Sequence, residues 1–154
     1  MDRERYRDGF EFSNTQRTLP ILLLRAREAV MDRFRPILNA HDITEQQWRV
    51  IRILHERGQT DSSQLAVLAC VLPPSLTRML KALEARGMVE VCKDPSDARR
   101  NLVRLSPKGD VFIASVSPSS AKVYEEIEAR IGRERISHIM DELQALLDAL
   151  DSAR

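Results

Sequence analysis

"PPSLTRMLKALEARGMVEVCKDPSDARRNLVRL", Pro73 to Leu105, decides the fold of this 154-residue chain. Its first half reads as a helix. Pro73 and Pro74 open it where a missing N–H costs nothing, and Gly87 stops it. Leu76, Met79, Leu80 and Leu83 fall on one stripe of that helix, which leaves Ser75, Thr77, Arg78, Lys81 and Ala82 facing outward. The second half reads as a β-hairpin. Met88, Val89 and Val91 on one side and Leu102, Val103 and Leu105 on the other favour strands, and Asp94, Pro95, Ser96 and Asp97 are turn residues between them. The spacing predicts a hairpin with a long, charged tip.

Upstream, "DSSQLAVLA" predicts a short helix capped by Asp61, burying Leu65, Val67 or Leu68, and Ala69. Joined through "CVLP" to the helix from Pro73, it makes a helix-turn-helix. Before it, "HDITEQQWRVIRILHERG" starts with a capping box, Thr44 and Gln47, and a hydrophobic staple, Ile43 and Trp48, and ends at Gly58. Earlier still, Leu19, Leu22, Leu23, Ala26, Val30 and Phe34 recur at helical spacing, and Pro36 predicts a kink or a terminus near Arg35. Downstream, Ser106 and Pro107 start a helix that runs to about Ile131, with a kink at Pro118 and a break at Gly132. The last segment repeats Ile136, Ile139, Leu143, Leu146 and Leu150 at alternating intervals of three and four, a seam that needs a partner.

The class that emerges is mainly α with a small β-hairpin. The order helix, helix, polar-faced helix, hairpin is that of a winged helix-turn-helix flanked by N- and C-terminal dimerisation helices. Residues 41–109 form the expected DNA-binding lobe, with 1–40 plus 110–154 as the helical dimerisation region of one integrated domain. No apolar run approaches the roughly 20 residues that span a bilayer, and the N-terminus, with Arg3, Arg5 and Arg7, lacks a secretion signal, so no membrane partner and a cytoplasmic location are expected. Three histidines on separate segments, no Gly-rich phosphate loop and no nucleophile elbow argue against an enzyme, and neither cofactor nor metal is expected. Cys70 and Cys92 read as two small core-filling side chains.

Net charge is only +1, yet the charge is polarised along the chain. Residues 73–108 carry eight Lys or Arg against four acids, a balance of +4, whereas residues 118–154 carry five against eight, a balance of −3. The positive middle is the part that would approach phosphate. Ser75, Thr77, Arg78 and Lys81 can donate to phosphates and base edges from a helix that fits the major groove. Arg99 and Arg100 can reach phosphates or a neighbouring minor groove, or they can simply solubilise a hairpin edge. Asp97 is expected to pair with an arginine and fix the shape of the wing.

The run from Ser62 to Gly109, with its "RGMV" exit, its D-x-x-D-x-R wing and the following "LSPKG", resembles the MarR family of bacterial transcription regulators, and the likeness extends over nearly the whole chain. "LLRAREAVMDRFRP", "ITEQQWRVIRIL" and "PPSLTRML" are similar to the subgroup that controls homoprotocatechuate and 4-hydroxyphenylacetate degradation. Pro73 departs from the pattern, where a basic or polar residue is expected before Pro74. The resemblance implies a homodimeric repressor that straddles a pseudo-palindromic operator on double-stranded DNA and is released by a small aromatic acid. Candidates for the effector site are Trp48, His41 and Arg49, with Arg17, Arg25 or Arg27 from the first helix; for Trp48 the staple alone, and for the arginines dimer salt bridges, are the competing readings. Two other readings remain open: a cysteine-based redox sensor of the same fold, and a helical scaffold without DNA affinity.

Overall fold

The computed structural model describes residues 15–151; the charged stretch around Arg3, Arg5 and Arg7 lies outside them. These residues divide into two compact units, one ending at Pro36 and one beginning at Ile37. The first holds a turn of 3-10 helix, Thr15–Arg17, and most of α1, Leu19–Ala40. Leu19, Leu22, Leu23, Leu24 and Val30 of α1 are exposed. Arg35 is held by Glu28 (2.7 Å) and by Asp32. Pro36 does not end this helix, as the sequence had suggested it could. The ring only removes the N–H that would bond the Asp32 carbonyl, and α1 continues to Ala40.

The second unit holds α2 (Glu45–Arg57), β1 (Thr60–Asp61), α3 (Ser62–Leu68), α4 (Pro73–Ala85), β2 (Val89–Asp94), β3 (Asp97–Leu105), α5 (Pro107–Ile131) and α6 (Arg133–Asp151). The capping box forms at the start of α2: Gln47 N–H donates to Thr44 Oγ1 and Thr44 N–H to Gln47 Oε1, each 3.1 Å. Val50, Ile51 and Leu54 of α2, Leu65 of α3, and Leu76, Leu80 and Leu83 of α4 are buried and meet Val89 and Val103 of the sheet in one core. Of the alternatives Val67 and Leu68, Val67 is 76% exposed and Leu68 is half-buried. Ala66 is buried as well, a small side chain on a helix that packs on α4.

The sheet has three antiparallel strands in the order β1-β3-β2. Thr60 and Asp61 pair with Val103 and Leu102, so a third strand, too short for the pattern to reveal, ties the start of α3 to the hairpin. The tip is tight rather than long. Only Pro95 and Ser96 lie between β2 and β3, the register shifts between Lys93 and Asp94, and Arg99 and Arg100 sit inside β3 rather than in a loop. Cys70 and Cys92 are both exposed, not core-filling. Cys92 follows Val91 in a strand where faces alternate, and Cys70 closes α3 in a left-handed conformation (φ 56°).

Ser106 joins the wing to α5. Its N–H donates to the Met88 carbonyl (3.0 Å), its hydroxyl donates to the Gly87 carbonyl, and the same oxygen accepts the Gly109 N–H (3.0 Å) as N-cap of α5. Beyond Gly132, α6 buries none of its side chains. Ile139, Leu143 and Leu150 of the expected seam are exposed, and so are Met140 and Leu147. Among the described residues no single helix is long and apolar enough to cross a membrane.

Candidate nucleic-acid interface and aromatic site

Helix α4 has the two faces that its spacing predicts. Leu76, Met79, Leu80 and Leu83 are buried, whereas Thr77, Arg78 and Lys81 are exposed and Ser75 is half-buried. Its N-terminus has no side-chain cap, and Pro73 and Pro74 remove two of the backbone donors that a helix start otherwise offers. Thr77 donates its hydroxyl back to the Pro73 carbonyl (3.1 Å), which turns an oxygen lone pair and a methyl group outward. Thr77 and Lys81 also form part of the wall of a cleft of about 240 Å³ bounded by α3, α4 and the sheet.

In the wing, Asp97 holds Arg99. One carboxylate oxygen accepts both the Arg99 backbone N–H (3.0 Å) and its Nε–H (3.2 Å). The bond from the Arg99 side chain, then the one from its backbone, lowers the Asp97 pKa below the usual 3.8. Arg99 itself remains 91% exposed at its side chain. Arg100 is different: its Nε donates to Asp61 Oδ2 (2.9 Å), and its guanidinium lies 3.5 Å from Asp94 Oδ2. Hydrogen bonding lowers both partner carboxyls, led by Arg100 at Asp61 and by the Ser96 backbone at Asp94. A sequence gives no distance between Asp61 and the hairpin. Only the β1–β3 pairing brings them together.

A second cluster gathers around Phe112 of α5, a residue that sequence reasoning missed. The His41 ring meets it edge-on at 5.9 Å between centroids, and Trp48 lies at 6.5 Å. The Arg86 guanidinium stands over the same ring at 5.9 Å and donates to the His41 carbonyl (3.2 Å) and to the Asp42 carbonyl. Arg86 is the C-cap residue of α4, so the aromatic cluster touches the far end of the helix whose outer face carries Arg78 and Lys81. The signal for Phe112 was present as an aromatic one turn into a helix capped by Ser106. His41 Nδ1 lies 2.8 Å from the Ile37 carbonyl oxygen, which marks that nitrogen as the protonated one. Arg49, one position after Trp48, has its Nε buried with no hydrogen-bond partner. Arg17, Arg25 and Arg27 belong to the other unit; Arg17 and Arg25 are exposed, and Arg27 pairs with Glu28 at 3.1 Å. Among the described residues no group of His, Cys, Asp and Glu has the geometry to hold a metal ion.

Comparison with known proteins gives a consistent set of likenesses. The model of the MarR family matches residues 43–100. The homoprotocatechuate degradative operon repressor of Escherichia coli is 39% identical over 132 residues, covering 84% of this chain and 89% of that one. The crystal structure of NadR in complex with 4-hydroxyphenylacetate is 40% identical with a TM-score of 0.77, over 88% of this chain and 96% of that one. The transcriptional repressor CouR, bound to a 23-mer DNA duplex, is 25% identical with a TM-score of 0.79, over 86% of this chain and 94% of that one.

Proposed function

This chain belongs to the MarR family of winged helix-turn-helix transcription regulators, and from that premise we propose that it is a homodimeric repressor of an aromatic-degradation operon. It binds a pseudo-palindromic operator and releases it when a small aromatic acid of phenylacetate type binds. The observation that carries the reading is the division of α4, with its leucines buried and Thr77, Arg78 and Lys81 left outward beside a wing that displays Arg99. Residues 41–109 serve as the DNA-binding lobe, and the helices outside them pair two chains. Half-sites about 34 Å apart then meet two lobes at once. The operator places its work in the cytoplasm. The relatives it matches are transcription regulators, and we assign it no catalytic step.

The effector site is the cluster of His41, Trp48 and Phe112, where an aromatic ring finds edge and face partners. A carboxylate there finds Arg86, and the unsatisfied Nε of Arg49 is a further donor in the same helix as Trp48. Arg86 caps the recognition helix, so an acid that draws its guanidinium off the 41–42 carbonyls shifts that helix, which supplies the differential interaction that release requires. Arg17, Arg25 and Arg27 of the first unit are further candidates to hold the carboxylate.

The test has two arms. Arg78→Ala should weaken operator binding and relax sequence preference, whereas Arg99→Ala should weaken binding to all sequences alike; unchanged affinity in both would show that the wrong surface was assigned. Phenylacetates, benzoates and salicylates should raise the melting temperature of the wild type but not of Trp48→Ala, and the compounds that bind should dissociate the DNA complex. The exposure of Cys70 and Cys92 favours one second reading, release by thiol oxidation. Peroxide should then fail to release DNA from the Cys70→Ala, Cys92→Ala double variant while releasing it from the wild type.

A further inference from the structure

Arg99 and Arg100 are neighbours in β3, so their side chains leave opposite faces of the strand. One faces outward at 91% exposure. The other, 53% exposed, turns to Asp61 and Asp94, whose side chains are only 15% and 11% exposed. Each of these carboxylates divides its oxygens. Asp61 Oδ1 accepts the N–H groups of Ser63 (2.9 Å) and Gln64 (3.1 Å) as N-cap of α3, and its Oδ2 takes Arg100. Asp94 Oδ1 accepts the backbone N–H (2.9 Å) and the hydroxyl (2.8 Å) of Ser96 in the wing turn, and its Oδ2 faces Arg100. One guanidinium therefore joins the start of the helix-turn-helix, the wing turn and β3, across 39 residues of sequence.

We propose that Arg100 is a positioning residue rather than a DNA contact: it clasps the wing to the N-cap of α3 and so sets where Arg99 meets the duplex. The clasp rests on the reading that the hairpin approaches DNA. A planar guanidinium suits it because a single side chain must reach two carboxylates with directed N–H groups, which an ammonium point charge does not do. Arg99, fixed to Asp97 on a strand that the clasp holds, needs no contact of its own with the body of the protein.

The experiment uses the full chain and a duplex that the wild type enriches from a random-sequence pool, with affinity measured across a range of salt. Arg100→Lys keeps the charge. A phosphate contact would survive it largely intact, whereas the clasp predicts a loss as large as that of Arg100→Ala, on the order of tenfold. Asp61→Asn keeps an N-cap and removes an anion from the interface. Simple electrostatics makes it bind more tightly; the clasp makes it bind more weakly, by about the factor seen for Arg100→Ala. Finally, Arg100→Ala placed in an Arg99→Ala background should cost nothing further and leave the slope of log K against log salt where Arg99→Ala put it. Two independent phosphate contacts would instead lower that slope by about 0.9 for each one lost. Tight binding by Arg100→Lys, tighter binding by Asp61→Asn, or additive losses would overturn the clasp while leaving the DNA reading in place. Failure of the wild type to enrich any sequence would sink the DNA reading itself. Circular dichroism and melting temperatures near the wild-type values show that each variant has folded.

Discussion

Replacing Gly109 by alanine adds one methyl group at the most confined of the described glycines. A Cβ there would lie 2.3 Å from the Met88 carbonyl oxygen and 3.1 Å from a Leu105 methyl, where ordinary contact begins near 3.4 Å. Backbone must therefore open by about 1.1 Å, the difference between 3.4 and 2.3 Å. The oxygen in the way accepts the Ser106 N–H at 3.0 Å, and Ser106 in turn caps α5 through Gly109 itself. Overpacking costs about 1–3 kcal/mol, and the disturbed hydrogen bond costs about 1 kcal/mol. Alanine returns about 1 kcal/mol of helix propensity. The net is a loss of about 1–3 kcal/mol, or roughly 3–10 °C in Tm for a chain of this size. Thermal unfolding followed by circular dichroism, at one chain concentration for all variants, reads it. Gly58→Ala is the control, because nothing lies within 4 Å of its added carbon and only its positive φ of 76° opposes the change. A Gly109→Ala protein as stable as the wild type, or more so, refutes the reasoning.

Three further outcomes are expected. Leu143→Asp puts a charge into the apolar row of α6 and should yield monomers with poor operator affinity; a light-scattering mass that stays at twice the chain mass would place the pairing surface elsewhere. Thr44→Ala removes one half of the capping box and should cost about 1 kcal/mol in chemical denaturation, with Thr44→Ser close to neutral. Asp61, Asp94 and Asp97 all have folded pKa values below 3.8, so the stability they contribute is fully present above that value and disappears as pH falls through the folded values. The gap in denaturation midpoint between wild type and Arg100→Ala should therefore be constant near neutrality and close in acid, as pH falls through the lowered folded values; a gap that widens in acid would reverse the sign of the argument.

The elements that were legible in the sequence carry their instructions locally. Thr44 with Gln47, Asp61, Ser106 with Pro107, and Gly132 each mark a boundary through a bond within a few residues, and each boundary lies where that chemistry puts it. The stripe on α4 needed only a helical period. What the sequence concealed depends on contacts made at long range or on a count of one residue. The two-residue strand at Thr60 has no period to detect, and without it neither the partner of Arg100 nor the role of Asp94 can be read. The alternation of faces that sends Arg99 outward and Arg100 inward depends on a strand that begins at Asp97 instead of after a longer loop. Phe112 and Arg86 come from different helices and meet only through the packing of α5 beside α2 and the capped end of α4, so the aromatic site was half visible, through His41 and Trp48 alone. Cysteine composition misled because a small apolar side chain is usually interior, whereas strand parity decides the case at Cys92.

The bare apolar row of α6 has a consequence for how the protein counts itself in a cell. On the proposed homodimer, a nineteen-residue helix that leaves Ile139, Leu143 and Leu150 exposed within its own chain gains stability from a second copy, so ordering of that helix is coupled to pairing of chains. While chains are scarce and mostly single, the number of operator-competent pairs grows as the square of chain number, and halving expression removes three quarters of the repressor. On that reading the set point of the regulated genes follows the square of copy number as well as the effector.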